Sequence, residues 1–248
     1  MTGAPALEII GLNKYFGGLP ATQDVSLTVQ QGERRLMIGP NGAGKTTLFN
    51  QITGDFPPTS GVIRLFGQDV TRLSLHQRAH LGVARTYQII TLFNNDTLEH
   101  NLVLALLGLS PSRWNALRPL SRYGDLREEA WRILESVGLG ERADRRVSEI
   151  PYGEKRRVEI AMALAQKPRL LLLDEPLAGL STSERASIKA LVRDIPREVT
   201  LIMIEHDMDT ALELADTVTL LNFGKVIVDG AREDVVKDER TRMVYLGE

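Results

Sequence analysis

The chain has 248 residues, a formal net charge of −2 and no cysteine. That charge argues against a nucleic-acid binder working by bulk electrostatics. The lack of thiols excludes disulfides and thiolate metal sites, which fits the cytosol. No basic leader or long apolar segment opens the chain, and runs such as Leu102–Leu107 and Leu170–Leu173 are too short to cross a bilayer, so a soluble protein with a substantial core is expected.

Leu7–Leu12 and Asp24–Gln30 read as strands, the second placing Val25, Leu27 and Val29 on one face. Gln31 and Gly32 turn the chain into Arg35–Ile38, a short apolar strand. Gly39, Pro40, Asn41, Gly42, Ala43, Gly44, Lys45 and Thr46 follow as G-x-x-x-x-G-K-T, and Thr47, Leu48 and Phe49 open a helix. This strand–loop–helix setting gives the motif its chemistry. The glycines let backbone N–H groups turn inward around a polyphosphate, Lys45 reaches the β/γ-phosphates, and the Thr46 hydroxyl ligates Mg2+. The helix N-terminus adds positive potential. A nucleoside triphosphate is the expected ligand.

Gly61–Phe66 reads as a strand, Phe66–Asp69 as a turn, and Gly82–Thr86 as a short strand ending near Gln88. From Asp96 to Ala165 the pattern is helical, with Leu98, Leu102 and Leu106 at helical spacing, a break at Ser110–Ser112 and a resumption over Glu128–Val137. Leu170–Leu173 is a strand without a wet face, as in a central parallel sheet, and runs into Asp174 and Glu175. Thr182–Asp194 reads as a helix with Ser181 or Thr182 as N-cap and Glu184 in its first turn. Val199–Ile204 is a strand, Asp207–Ala215 a helix, Thr217–Leu221 and Val226–Val228 a hairpin, and Ala231–Leu246 an exposed helix. An α/β nucleotide-binding core with a helical insertion is expected.

An Asp–Glu pair after an apolar strand, taken alone, is as often a solvated strand end; in order after a full phosphate loop, the Asp174 carboxylate is placed at the sheet edge to meet the water shell of Mg2+. Glu175, one residue on, points elsewhere and can polarise an attacking water. His76, His80 and His100 lack acidic or cysteine neighbours at ligand spacing and read as surface or helix-end residues. Trp114 and Trp131 read as packing or partner contacts. Arg142, Arg145 and Arg146, interleaved with Glu141 and Asp144, read as a solvated loop, and Lys155–Arg157 as a basic helix face.

Over its whole length the chain resembles the ATP-binding subunit of ABC transporters, with every motif in the family's order. The resemblance implies a P-loop ABC nucleotide-binding domain with an N-terminal antiparallel β subdomain and a helical subdomain. Residues 1–91 and 168–230 would form the core, about 92–167 the helical subdomain and 231–248 a C-terminal helix. It places Phe16 on adenine, Gln88 at the magnesium site between core and helical subdomain, and Ile150, Pro151, Tyr152, Gly153 and Glu154 at the signature. Ala178–Ser181 falls at the D-loop and His206 at the switch position, where it would hold the γ-phosphate and the water on Glu175. Phe16 or His206 taken singly would more often be structural. Glu205–Met208 and the closing Tyr245–Glu248 look most like importers of branched-chain amino acids and related amides.

The resemblance implies ATP and Mg2+, membrane permease subunits, a second ATPase subunit, indirectly a solute-binding protein, and no nucleic acid. It places the chain in the cytoplasm on the inner face of the membrane, held there by permeases. Exporter-type cassettes and soluble ABC ATPases are the alternatives. Two departures stand out. Pro151 replaces the usual signature serine, removing a hydroxyl and an N–H, and Tyr152 replaces its first glycine. Ser181 stands where the D-loop commonly has aspartate. Both changes weaken the contacts a chain offers its dimer partner, which favours a heterodimer.

Overall fold

The computed structural model describes residues 3–108, 110, 124–205 and 211–246. The chain divides into two compact units. One comprises Met1–Arg85, Arg169–Glu175 and Ile195–Glu248, the other Thr86–Pro168 and Pro176–Asp194.

The strands all lie in the first unit: β1 (Leu7–Phe16), β2 (Leu19–Val29), β3 (Arg34–Ile38), β4 (Ser60–Leu65), β5 (Gln68–Asp69), β6 (Val83–Arg85), β7 (Leu170–Asp174), β8 (Thr200–Ile204), β9 (Thr217–Asn222) and β10 (Lys225–Ala231). An antiparallel sheet has the order β2-β1-β4-β5, and a second sheet the order β10-β9-β3-β8-β7-β6. In the second sheet all neighbours are parallel except the β9–β10 hairpin. β3, β7 and β8 are buried along their whole length, which is why Leu170–Leu173 shows no alternation.

β1 and β2 extend well beyond the expected Leu7–Leu12 and Asp24–Gln30. Bulges interrupt their pairing, with Gly11 at φ 54° and Asp24 at φ 48°. Each bulge shifts the side-chain alternation by one residue, so a period of two breaks where the strand does not. Asn13 ties the irregular stretch together, donating to the Gly11 carbonyl at 2.8 Å and accepting from the Asp24 N–H at 2.9 Å.

After β3, helix α1 (Lys45–Thr53) buries Leu48, Phe49 and Ile52 among the inner residues of both sheets. Fully burying such a side chain contributes about 2 kcal/mol. The expected turn at Phe66–Asp69 includes β5. A helix that periodicity misses, α2 (Leu75–His80), follows, because six residues are too few to show a period. Its sequence cue is the Ser74–Gln77 capping box.

α2 carries Arg78, which is fully buried. Its guanidinium donates to the carbonyls of Gln51 and Ile52 at the end of α1, and to those of Leu73 and Thr71. A cation there complements the helix dipole. Burial lowers its pKa to about 10, so it stays charged at neutral pH. Arg78→Ala leaves these carbonyls without donors, costing at least about 3 kcal/mol. The melting temperature should fall by roughly 6–12 °C; a shift under about 2 °C would exclude this role.

The second unit is helical: α3 (Leu98–Gly108), α4 (Gly124–Ser136), α5 (Tyr152–Ala165) and α6 (Thr182–Asp194). Leu98, Leu102, Val103, Leu134, Val147, Val158 and Ala161 share its core, while Leu106 packs at the edge. The break expected at Ser110–Ser112 and Trp114 lie largely outside the described residues; Trp131 is half exposed.

One surface reading holds and two are corrected. The Arg142–Arg146 stretch is solvent-exposed as expected, flanked by 3-10 turns at Gly140–Arg142 and Val147–Glu149, and Arg142 pairs with Glu154. His100 does have an acidic neighbour, Asp96, one helical turn earlier with Nδ1–Oδ1 at 3.0 Å. Lys155–Arg157 is no uniform exposed face, because Arg156 is completely buried.

Ala231–Leu246 is not one exposed helix. Two short helices, Arg232–Lys237 and Glu239–Leu246, meet at extended Asp238 and bury Val235 and Thr241. Residues 207–210 of the expected Asp207–Ala215 helix lie outside the described residues; of the rest, only Ala211 and Leu212 are helical, and Glu213 and Leu214 form a turn, so the helix ends before Ala215. Among the described residues no helix is long and apolar enough to cross a membrane.

Candidate nucleotide-binding site

β3 delivers the phosphate loop and α1 carries it away. Close backbone approach requires glycine at both ends of the loop. A Cβ at Gly39 (φ 149°) would lie 2.2 Å from the Leu221 carbonyl, and one at Gly44 (φ 100°) 2.4 Å from that of Ala21. Backbone bonds from Ala43 N to Pro40 O at 3.1 Å and from Gly224 N to Ala43 O at 2.9 Å hold the turn against the β9–β10 hairpin. α1 begins without a side-chain cap and without an acidic residue in its first turn. Its leading N–H groups are thus offered to an anion.

Lys45 is buried, its Nζ donating to the carbonyls of Gly39 at 2.6 Å and Pro40 at 3.1 Å. Burial holds its pKa below the usual lysine value, and the charges of Glu175 and Asp174 oppose that shift. The ammonium, the helix terminus and the two carboxylates therefore share one electrostatic neighbourhood. A triphosphate entering it meets a charge that has already lost its water, and charge-assisted bonds are strongest in such a setting.

Asp174 ends β7 in register with Ile204 and is almost inaccessible. Its Oδ2 lies 2.8 Å from Nη2 of Arg85, the last residue of β6. The same guanidinium donates to Asn50 of α1 and sits over the Phe49 ring at 5.5 Å. Arg85 thus fixes the rotamer of Asp174. Sequence reasoning gave it no task, although a charge closing the apolar strand Val83–Arg85 was a visible cue.

Glu175 follows with φ 47°, a left-handed conformation that costs a non-glycine residue about 1–2 kcal/mol. A hydrogen bond from its N–H to the Ile204 carbonyl at 3.0 Å supports this conformation. The turn ends the strand's alternation just after Asp174, and both carboxylates still act on Lys45.

Phe16, at the end of β1, is half exposed and meets Phe56 edge-to-face at 5.5 Å, with the Lys14 ammonium 5.2 Å from its ring centre. Its free surface is of the kind a planar base stacks on. Gln88, Pro151, Tyr152, Gly153 and Glu154 belong to the helical unit. Pro151 occupies the N-cap of α5 and contributes no side-chain cap. Glu184 bridges the signature and D-loop positions: Oε1 accepts from Gly153 N–H at 3.2 Å and Oε2 from Ser181 N–H at 2.9 Å. The Ser181 hydroxyl and then its N–H, with a smaller contribution from Gly153, hold this carboxyl below the usual range. A Cβ at Gly153 would lie 2.4 Å from Glu184 Oε1, so a larger residue at this signature position would displace the Glu184 side chain from its bond to the Gly153 N–H. His206 lies outside the described residues.

A glycine-lined phosphate cradle at the end of a parallel strand, with a buried lysine and two carboxylates beside it, defines a P-loop nucleotide-binding protein. Comparison with known proteins narrows the class. The ABC transporter family model matches residues 22–178, and the chain belongs to that family. It is 40% identical to the high-affinity branched-chain amino acid transport ATP-binding protein BraF of Pseudomonas aeruginosa, covering 98% of both chains. It is 36% identical to LivG of Escherichia coli, described in the same words, again over 98% of both. A nucleotide-free ATP-binding cassette of an ABC transporter superposes with a TM-score of 0.87 at 30% identity, covering 98% of this chain and 100% of that one. An ADP-bound cassette gives the same TM-score and identity, with 98% and 99% covered. The chain is thus a nucleotide-binding ATPase of the ABC family, similar from end to end to branched-chain amino acid transport ATP-binding proteins, which supports the first of the expected readings over the exporter-type and soluble alternatives.

Proposed function

We propose that this chain energises the import of branched-chain amino acids or related small amides, as one ATPase subunit on the inner face of a membrane and bound there by permease subunits. The observation that carries this reading is the end-to-end similarity to BraF and LivG, which includes the helical unit as well as the phosphate loop. A solute-binding protein would deliver the cargo from the other side. In this reading the core is residues 1–91 and 168–230, with 92–167 as the helical subdomain.

The phosphate loop, from Gly39 to Thr47, holds the triphosphate, Lys45 faces its β/γ-phosphates and Phe16 stacks on adenine. Thr46, Asp174 and Gln88 would hold Mg2+. Their hydroxyl, carboxylate and amide oxygens are the hard donors that ion prefers, and Asp174 already sits in the field of Lys45. When bound, the ion neutralises charge on the phosphates. Glu175 orients the attacking water and His206 hydrogen-bonds the γ-phosphate. Positioning supplies most of the rate, because phosphoryl transfer needs little covalent help.

Two cassettes sandwich two nucleotides, each faced by the other chain's signature, here Pro151, Tyr152, Gly153 and Glu154. With no hydroxyl at Pro151, a homodimer has two weakly capped sites, and pairing with a different cassette bearing a fuller signature supplies a strong one. Adding such a partner should raise turnover well above the sum of the separate chains. Full turnover by this chain alone, unchanged in Pro151→Ser, would favour a homodimer. The transport reading is tested by reconstituting the chain with the permeases and binding protein encoded beside it. ATP-driven uptake of labelled leucine or valine is expected, and outward movement or no movement would refute it.

A further inference from the structure

We propose that the buried pair Arg156–Glu159 on α5 is a latch that holds the Tyr87–Gln88 backbone to the signature helix, making both side chains positioning residues for Gln88. The inference rests on the reading of Gln88 as a group that serves the nucleotide site.

Arg156 has no exposed surface, and its Nη1 lies 2.6 Å from Glu159 Oε2. Three residues apart on a helix, the two side chains project from one face. They grip one short piece of chain from both sides. Nη1 donates to the Tyr87 carbonyl at 3.0 Å and Nη2 to the Gln88 carbonyl at 3.4 Å. Glu159 Oε1 accepts the Tyr87 N–H at 3.1 Å. Tyr87 is therefore held through both its backbone groups, much as in a strand pair, but by side chains of a helix. The fork also reaches the signature itself, because Nη2 donates to the Tyr152 hydroxyl at 3.4 Å. The tyrosine that stands where the family has glycine is thus part of the same network.

Stability alone does not account for this pair. Removing two charges from water costs about as much as their attraction returns, and apolar residues of similar volume often serve equally well. Arg156 Nε, moreover, is buried without a hydrogen-bond partner. What a guanidinium supplies, and a lysine or an apolar side chain does not, is a planar fork that spans two successive carbonyls. The consequence is that the Gln88 backbone is carried as part of α5, so any displacement of the signature helix displaces Gln88 with it.

The test uses the full-length chain with Arg156→Met/Glu159→Leu, which removes both charges together and keeps the volume filled, alongside Arg156→Lys. Amide hydrogen exchange without nucleotide is the first readout. In the double variant the Tyr87 amide should exchange at least about tenfold faster than in the wild type, while the melting temperature stays within about 3 °C. ATP binding in EDTA should change by less than about twofold, since the phosphate loop is untouched. The Mg2+ concentration for half-maximal ATPase should rise about tenfold, with Arg156→Lys failing to rescue it. Wild-type exchange at Tyr87 in the double variant would overturn the latch. Gln88→Ala keeps the two failures apart. If it leaves the Mg2+ dependence unchanged, the assigned role of Gln88 is wrong and exchange alone decides the latch. If it shifts that dependence while the double variant does not, the latch is wrong and the role of Gln88 stands.

Discussion

Lys45→Ala is expected to abolish measurable ATP binding and, with it, turnover. The ammonium is buried, faces inward on the carbonyls of Gly39 and Pro40, and has paid its desolvation before any ligand arrives. Truncating one partner of a buried, hydrogen-bonded charge pair costs about 2–5 kcal/mol, or roughly 30-fold to several thousandfold in affinity. The alanine chain also removes a positive charge from the neighbourhood of Asp174 and Glu175, although Asp174 keeps Arg85, so their repulsion of the phosphates is less offset. Calorimetric titration with Mg-ATP measures the effect, with a melting curve to confirm that the variant is folded. A folded variant with unchanged affinity would remove Lys45, and the assigned phosphate site, from the mechanism.

Glu175→Gln should separate binding from chemistry. Glutamine has the same shape and can keep the left-handed backbone and its bond to the Ile204 carbonyl, so the fold and the phosphate loop are spared. What is lost is the carboxylate proposed to polarise water, a change typical of removing a general base. Hydrolysis should fall by about two to four orders of magnitude while ATP binding persists. With product formation blocked, an ATP-bound dimer should accumulate in Mg-ATP, visible as a shift on sizing chromatography. Undiminished turnover with only monomer in solution would count against both the role of Glu175 and the sandwich arrangement.

Much of the fold was legible because it is written in short windows. The glycine-rich loop between Ile38 and Lys45, the wholly apolar Leu170–Leu173, and the alternation of Val25, Leu27 and Val29 each declare an element within a few residues, and each is found there. The hairpin at Asn222–Lys225 also forms, with Phe223 and Gly224 both at positive φ. Failures fell where a local pattern was broken or too short. Bulges at Gly11 and Asp24 hid half of β1 and β2, α2 was too short to repeat a period, and Asp238 split the last helix.

By itself, then, the sequence determined the chemistry that depends on neighbours along the chain. Successive N–H groups of one loop form a cradle suited to a phosphate, a lysine and threonine follow at fixed offset, and Asp174 ends one buried strand with Glu175 next to it. Only the tertiary structure decided which distant groups hold that chemistry in place. Arg85 meets Asp174 across 89 residues, Glu159 meets Tyr87 across 72, and Glu184 reaches Gly153 across 31. Arg78 crosses 26 residues to cap α1 at Ile52. The physical reason is common to all of them. A charged side chain in sequence reads as solvated, since most are, and what reverses that reading is a partner brought beside it by the packing of sheets and helices, an event that no local period records.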